Sequence, residues 1–213
     1  MNYSKYIDHT NLKPTATEDD IIKLCDEAIK YNFYSVCVNP CFVKLAKKQL
    51  ANTDIKVACV IGFPLGANLS QIKKQEAIEA VENGAGELDM VINQGLFKME
   101  KYAEVLADIN AVCEADVPVK VIVETSNLNK KELEKLCEIV NYSNALFIKT
   151  STGFIGDGAK RDDVELMRKL ISKNKKVKAS GGIRDKETFL QMIEAGADRI
   201  GTSSGVKIIE SLN

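Results

Sequence analysis

Short runs rich in β-branched and apolar residues alternate along this chain with longer stretches in which apolar residues recur at i, i+3 and i+4. The short runs fall at residues 6–9, 34–38, 56–61, 87–92, 119–124, 146–150, 176–179 and 199–201, and their composition predicts strands. Between them, sets such as Ile21, Leu24, Cys25, Ala28 and Leu133, Leu136, Cys137, Val140 predict amphipathic helices. Strand starts recur roughly every 20–33 residues, the length of a compact β-loop-α unit. Thr17 stands before three acids, Glu18, Asp19 and Asp20, as an N-cap residue would, and Ser70 is expected to cap the segment 71–83 in the same way. Asn83-Gly84-Ala85 and Ala195-Gly196-Ala197 each place glycine where a helix must stop in a left-handed conformation. The segments around them, ENGAGELD and EAGADRIG, are weakly alike.

Alternating β and α units imply a parallel sheet with right-handed crossovers, either open and doubly wound or closed. No G-x-G-x-x-G follows the first strand, which weakens a dinucleotide-binding arrangement. Eight units favour closure. The expected fold is a single-domain α/β (β/α)8 barrel over residues 1–213, since no linker, low-complexity tract or change of composition divides the chain.

Composition narrows the function classes. The 213 residues carry 29 basic and 30 acidic side chains, a formal charge of −1, so no global positive field exists to draw nucleic acid or an anionic membrane. A local pocket for one phosphate remains open. No apolar run approaches the ~18 residues of a membrane span, and the N-terminal MNYSKYIDHT lacks a signal-peptide core. Cys25, Cys37, Cys41, Cys59, Cys113 and Cys137 form no CxxC pair. They are expected to be small buried hydrophobes in a reducing compartment, and the protein is expected to be cytoplasmic.

Charge inside the strands is the unusual feature, because strands covered on both faces normally read as apolar runs. Glu87 and Asp89 share one face of the fourth run, and Lys120 and Glu124 share one face of the fifth. Lys149 lies in the sixth and Lys178 in the seventh. The opposite faces hold Leu88 and Met90, Val119, Val121 and Val123, Ile148, and Val177 and Ala179. In a barrel the apolar set packs against helices and the charged set points at the axis, whose C-terminal end is the usual active-site mouth. A salt-bridge network that merely fills the barrel would account for Glu87, Lys120 and Glu124. It fits Lys149 and Lys178 less well. Two neighbouring ammonium groups repel, and burial with repulsion favours the neutral amine of one of them. A neutral lysine amine is a nucleophile for carbonyl carbon, and Asp89 is the acid best placed to move protons beside it.

Eight segments, IDHTNLKP (7–14), VCVNP (36–40), VIGFPLG (60–66), ELDMVIN (87–93), VKVIVETS (119–126), FIKTSTGF (147–154), KASGGIR (178–184) and RIGTSSG (199–205), occur in the order found in one family. By them the chain resembles the deoxyribose-phosphate aldolases, class I enzymes that work through a lysine Schiff base. The resemblance implies reversible cleavage of 2-deoxy-D-ribose 5-phosphate to D-glyceraldehyde 3-phosphate and acetaldehyde, without metal or other cofactor, in a homodimer or homotetramer. It assigns the Schiff-base lysine to Lys149, the second lysine to Lys178 and the catalytic aspartate to Asp89. It places substrate contacts at Asp8, Thr10, Cys37 and Thr152. The phosphate end falls to Gly153, Gly181, Gly182, Ser203 and Ser204.

The two glycine- and serine-rich turns support an anion site physically. Each follows a strand and is expected to open a helix, where glycine admits close approach and N–H groups face an anion. The chain also departs from the family: Phe154 stands where many members have lysine, Lys160 where threonine is common, and the end at Ser211-Leu212-Asn213 carries no tyrosine. Two other readings stay open. A metal-dependent aldolase would ordinarily cluster histidines, and this chain has one, His9. A phosphate-binding barrel without chemistry would not need paired lysines in its strands.

Overall fold

The computed structural model describes residues 2–212. Eight strands pair in parallel, each with the next and the last with the first, to close a barrel. They are β1 (Ile7–Asn11), β2 (Ser35–Val38), β3 (Lys56–Ile61), β4 (Glu87–Val91), β5 (Val119–Ile122), β6 (Phe147–Lys149), β7 (Lys176–Ser180) and β8 (Arg199–Thr202). The surrounding helices are α1 (Glu18–Tyr31), α2 (Val43–Gln49), α3 (Ser70–Glu82), α4 (Gln94–Lys98), α5 (Tyr102–Cys113), α6 (Lys130–Tyr142), α7 (Arg161–Leu170), α8 (Lys186–Glu194) and α9 (Gly205–Glu210). All eight expected strands form, with ends moved by a few residues. The clearest shift is at β1, where Tyr6 belongs to a short 3-10 turn and the strand runs on to Asn11.

Apolar residues of the outward strand faces meet the inner helix faces in one continuous core. Ile21, Leu24, Cys25 and Ala28 are the buried stripe of α1, and Leu133, Leu136, Cys137 and Val140 belong to that of α6. Thr17 caps α1 as expected, in a reciprocal capping box with Asp20, and Asn129 with Glu132 repeats the device on α6. Ser70 does not cap α3. It is the first helical residue, Leu69 occupies the cap position, and no side chain accepts there. A serine one position inside the helix cannot reach back to the N–H groups that an N-cap satisfies. Gly84 and Gly196 end their helices at φ +108° and +100°, as the sequence implied.

The cysteines are free. Cys25, Cys37, Cys59 and Cys137 are buried, but Cys113 is half-buried and Cys41 is exposed, against the expectation of burial. Cys41 lies in a 3-10 turn beyond β2, where nothing packs over it. Among the described residues one buried ion pair lies outside the barrel: Lys73 of α3 donates to Asp108 of α5 at 2.7 Å and to the Val91 carbonyl at 2.9 Å. Among the described residues no helix is long and apolar enough to cross a membrane.

Candidate active site

Strand register delivers the charged residues to one place. Asp89 pairs with Lys120 across β4 and β5, and Lys149 with Lys178 across β6 and β7. Alternation along the strands then sends all four inward. Lys178 needs room for its stem, and Gly201 of β8 provides it: a Cβ there would stand 3.0 Å from Lys178 Cε.

Asp89 is the hub. Its Oδ2 accepts from Lys149 Nζ at 2.8 Å and from Lys178 Nζ at 2.7 Å, and its Oδ1 accepts from Lys120 Nζ at 2.9 Å. The other side of Lys178 donates to Asp8 Oδ2 at 2.5 Å. Asp8 Oδ1 in turn accepts from Arg199 and from the Ser35 hydroxyl, each at 2.6 Å. Arg199 reaches on to Glu87 Oε1 at 3.1 Å and lies over the Tyr34 ring. Glu87 Oε2 stands 2.6 Å from Lys120 Nζ, a contact of charge rather than an aligned hydrogen bond. A salt-bridge network therefore fills the barrel, with Glu87 and Lys120 in it as one reading expected, but it leaves out Glu124 and takes in both Lys149 and Lys178.

The two lysines differ in proton affinity. Burial pulls Lys149 below the ordinary lysine value; the Lys178 charge adds to this, and Asp89 opposes it without prevailing. Burial acts on Lys178 in the same direction, but Asp8 and Asp89 together outweigh it and hold Lys178 above the ordinary value. Asp89 itself is held well below the usual carboxylate range: burial resists, and the charges of Lys120, Lys149 and Lys178 prevail. Burial and repulsion between two ammonium groups were both expected to favour the neutral amine. The structure inserts a shared carboxylate oxygen between them, so burial is the larger cause. Cys37 lies beside this centre, its Sγ 4.0 Å from Asp89 Oδ2, and burial pushes its thiol up to about 11.

Above the network opens a cavity of about 430 Å³, lined by Lys149, Thr10, Thr152, Gly153, Gly181, Gly182 and Ser203 among others. Asp8, Asp89, Lys178, Cys37 and Ser204 are not part of its lining, and the first four are fully buried. The Thr10 hydroxyl donates to the Asp8 carbonyl at 2.8 Å. The Ser204 N–H donates to the Thr202 hydroxyl at 2.9 Å. Gly153, Gly181 and Gly182 all have positive φ, and a Cβ on Gly181 would come 2.9 Å from the Gly158 Cα, so this wall is built from bare backbone. The SGG turn follows β7 and precedes α8, as expected, but does not itself cap the helix. Asp185 caps α8, and Ile183 and Arg184 intervene. The TSSG turn does lead into α9.

Glu124 lies outside β5. The strand stops at Ile122, Glu124 takes φ +57°, and its carboxylate accepts from the Thr152 N–H and hydroxyl. It braces the loop after β6 and does not share a strand face with Lys120. Three features escaped the sequence reading: Arg199 as a partner of Asp8 and Glu87, the His9–Glu27 contact at 2.7 Å on the cavity wall, and the edge-to-face pair of Phe63 with Phe154. Arg199 begins a strand run and falls on the face that Lys178 faces, so charge parity could have found it. The other two join residues remote in sequence. Among the described residues no three His, Cys, Asp or Glu side chains are grouped as a metal site would require.

Residues 3–210 match the model of the DeoC/LacD family aldolases. The chain belongs to this aldolase family. It is 57% identical over 216 residues to the deoxyribose-phosphate aldolase of Thermococcus gammatolerans, covering 99% of this chain and 96% of that one. It is 54% identical to that of Clostridium tetani, covering 99% of each. A solved deoxyribose phosphate aldolase from Aeropyrum pernix, described as tetrameric, superposes with a TM-score of 0.90 at 36% identity, over 99% of this chain and 90% of that one. The closed barrel is thus the fold of the family.

Proposed function

We propose that this aldolase cleaves 2-deoxy-D-ribose 5-phosphate to D-glyceraldehyde 3-phosphate and acetaldehyde, with Lys149 as the nucleophile. The observation that carries the reading is the asymmetry of the lysine pair: one amine of lowered proton affinity at the cavity floor, beside one that stays charged on the same carboxylate oxygen. Lys149 Nζ adds to the C1 aldehyde of the open-chain sugar, and loss of water gives a protonated imine. The C3 hydroxyl gives up its proton, the C2–C3 bond breaks, and its electron pair moves into the imine to form an enamine. Glyceraldehyde 3-phosphate leaves. The enamine takes a proton at C2, and water hydrolyses the imine to release acetaldehyde and restore the amine. The imine is itself the electron sink, so the reaction calls for no metal or other cofactor. Asp89 carries protons beside Lys149, and Lys178 supplies a fixed positive charge.

The substrate phosphate lies against the N–H groups of Gly153, Gly181 and Gly182 and the hydroxyl of Ser203, with Ser204 next to it in sequence but outside the lining. Positive φ at the three glycines supports this placement. Thr10 and Thr152 border the sugar; Asp8 and Cys37, assigned to it by the resemblance, are buried outside the cavity lining. The similarity to a tetrameric relative supports a homodimer or homotetramer, and the free cysteines support a cytoplasmic setting. Borohydride reduction in the presence of acetaldehyde, followed by mass mapping, tests the assignment. An ethyl group fixed on Lys149 is expected; an adduct on another lysine, or none, overturns it.

A further inference from the structure

The ion pairs beneath the site form one closed set. Lys149, Lys178 and Lys120 share Asp89; Lys178 and Arg199 share Asp8; Arg199 and Lys120 share Glu87. Three carboxylates thus face four basic groups. With Lys120, Lys178 and Arg199 charged, the anions are already matched, and a proton on Lys149 would add an unmatched charge to a set that is otherwise buried. We propose that Glu87 and Arg199, which do not line the cavity, are positioning residues for the reaction: they fix the sign balance of the buried set and so keep the Lys149 amine uncharged. The inference rests on Lys149 being the nucleophile.

The surroundings leave this set to decide the matter. Lys149 is faced by Asp89 from β4, Lys178 from β7 and Cys37 from β2. Lys120 of β5 and Asp8 of β1 stand one ion pair further, and Glu87 and Arg199 two. Glu124, beyond β5, is engaged by Thr152. Buried charges are weakly screened, so each change of sign in the set reaches Lys149 through low-dielectric protein. Arg199 and Glu87 also hold their own partners in place, and a purely structural role would make every substitution at them harmful in the same way. A charge balance makes opposite substitutions act in opposite directions.

The test measures the acid limb of the kcat/KM profile for cleavage, together with the pH dependence of Lys149 trapping by sub-saturating acetaldehyde and cyanoborohydride. Glu87→Gln removes an anion, so the limb moves to lower pH by roughly half to one unit. Arg199→Met removes a cation and moves it to higher pH by about as much. The double variant restores the balance and returns the limb to the parent position, and Arg199→Lys leaves it there. Arg199→Gln carries the same charge change if the Met variant does not fold. Shifts in one direction only, or no shift, with trapping still on Lys149 would overturn the inference alone. Trapping on a different lysine would overturn the nucleophile assignment beneath it.

Discussion

A lysine amine must be uncharged to add to a carbonyl, and water favours the ammonium by several orders of magnitude at neutral pH. With Lys149 as the proposed nucleophile, burial holds its amine against its own solvation preference, and stability bears the cost. Lys149→Met removes the buried amine while Asp89 keeps its contacts to Lys178 and Lys120. Turnover should fall by ~10³-fold or more, while the melting temperature at pH 7 stays at or above that of the parent. Calorimetry and an aldolase assay check both. A drop of several degrees would mean that the Lys149–Asp89 contact outweighs the cost of burial.

At the scale of elements, local chemistry decides where helices begin and tertiary contact decides what a strand can carry. Thr17 closes a capping box and Ser70 does not. Thr17→Ala should lower stability by about 1 kcal/mol, and Ser70→Ala should change it by less than ~0.5 kcal/mol, both measurable by urea unfolding. Gly201 tells the other half. Its backbone is ordinary for a strand, yet a Cβ there meets the Lys178 stem at 3.0 Å. Gly201→Ala should push Lys178 from its place between Asp8 and Asp89, lowering kcat more than it raises KM. Equal effects on the two would place the damage in substrate binding instead.

At the scale of the whole molecule, the ion-pair network beneath the site also ties strands remote in sequence, since Asp8 of β1 and Arg199 of β8 close the barrel seam. Lys178 and Arg199 hold Asp8 below the usual carboxylate range, against burial, and Asp89 is lowered likewise. A carboxylate whose folded value lies below its unfolded one contributes stability above the unfolded value and loses it as pH falls toward the folded one. Stability should thus decline from about pH 5 downward, followed by denaturant unfolding across that range. Asp8→Asn should be less stable at pH 7 and show a shallower acid decline. An unchanged slope would remove Asp8 from the pH-sensitive set.

Alternation of strand and helix, the inward parity of Glu87, Asp89, Lys149 and Lys178, and the cap at Thr17 were legible in the order of residues, because periodicity and capping depend on neighbours a few positions apart. The turn glycines were legible too, but not that Ile183 and Arg184 separate SGG from the cap of α8. The tertiary structure alone decided that one oxygen of Asp89 serves both lysines, that Arg199 and Glu87 complete the charge set, and that Glu124 leaves its strand to hold Thr152. Those pairings join residues up to 191 positions apart, and which buried amine has its proton affinity lowered depends on the distances and dielectric between them, which exist only once the barrel has closed.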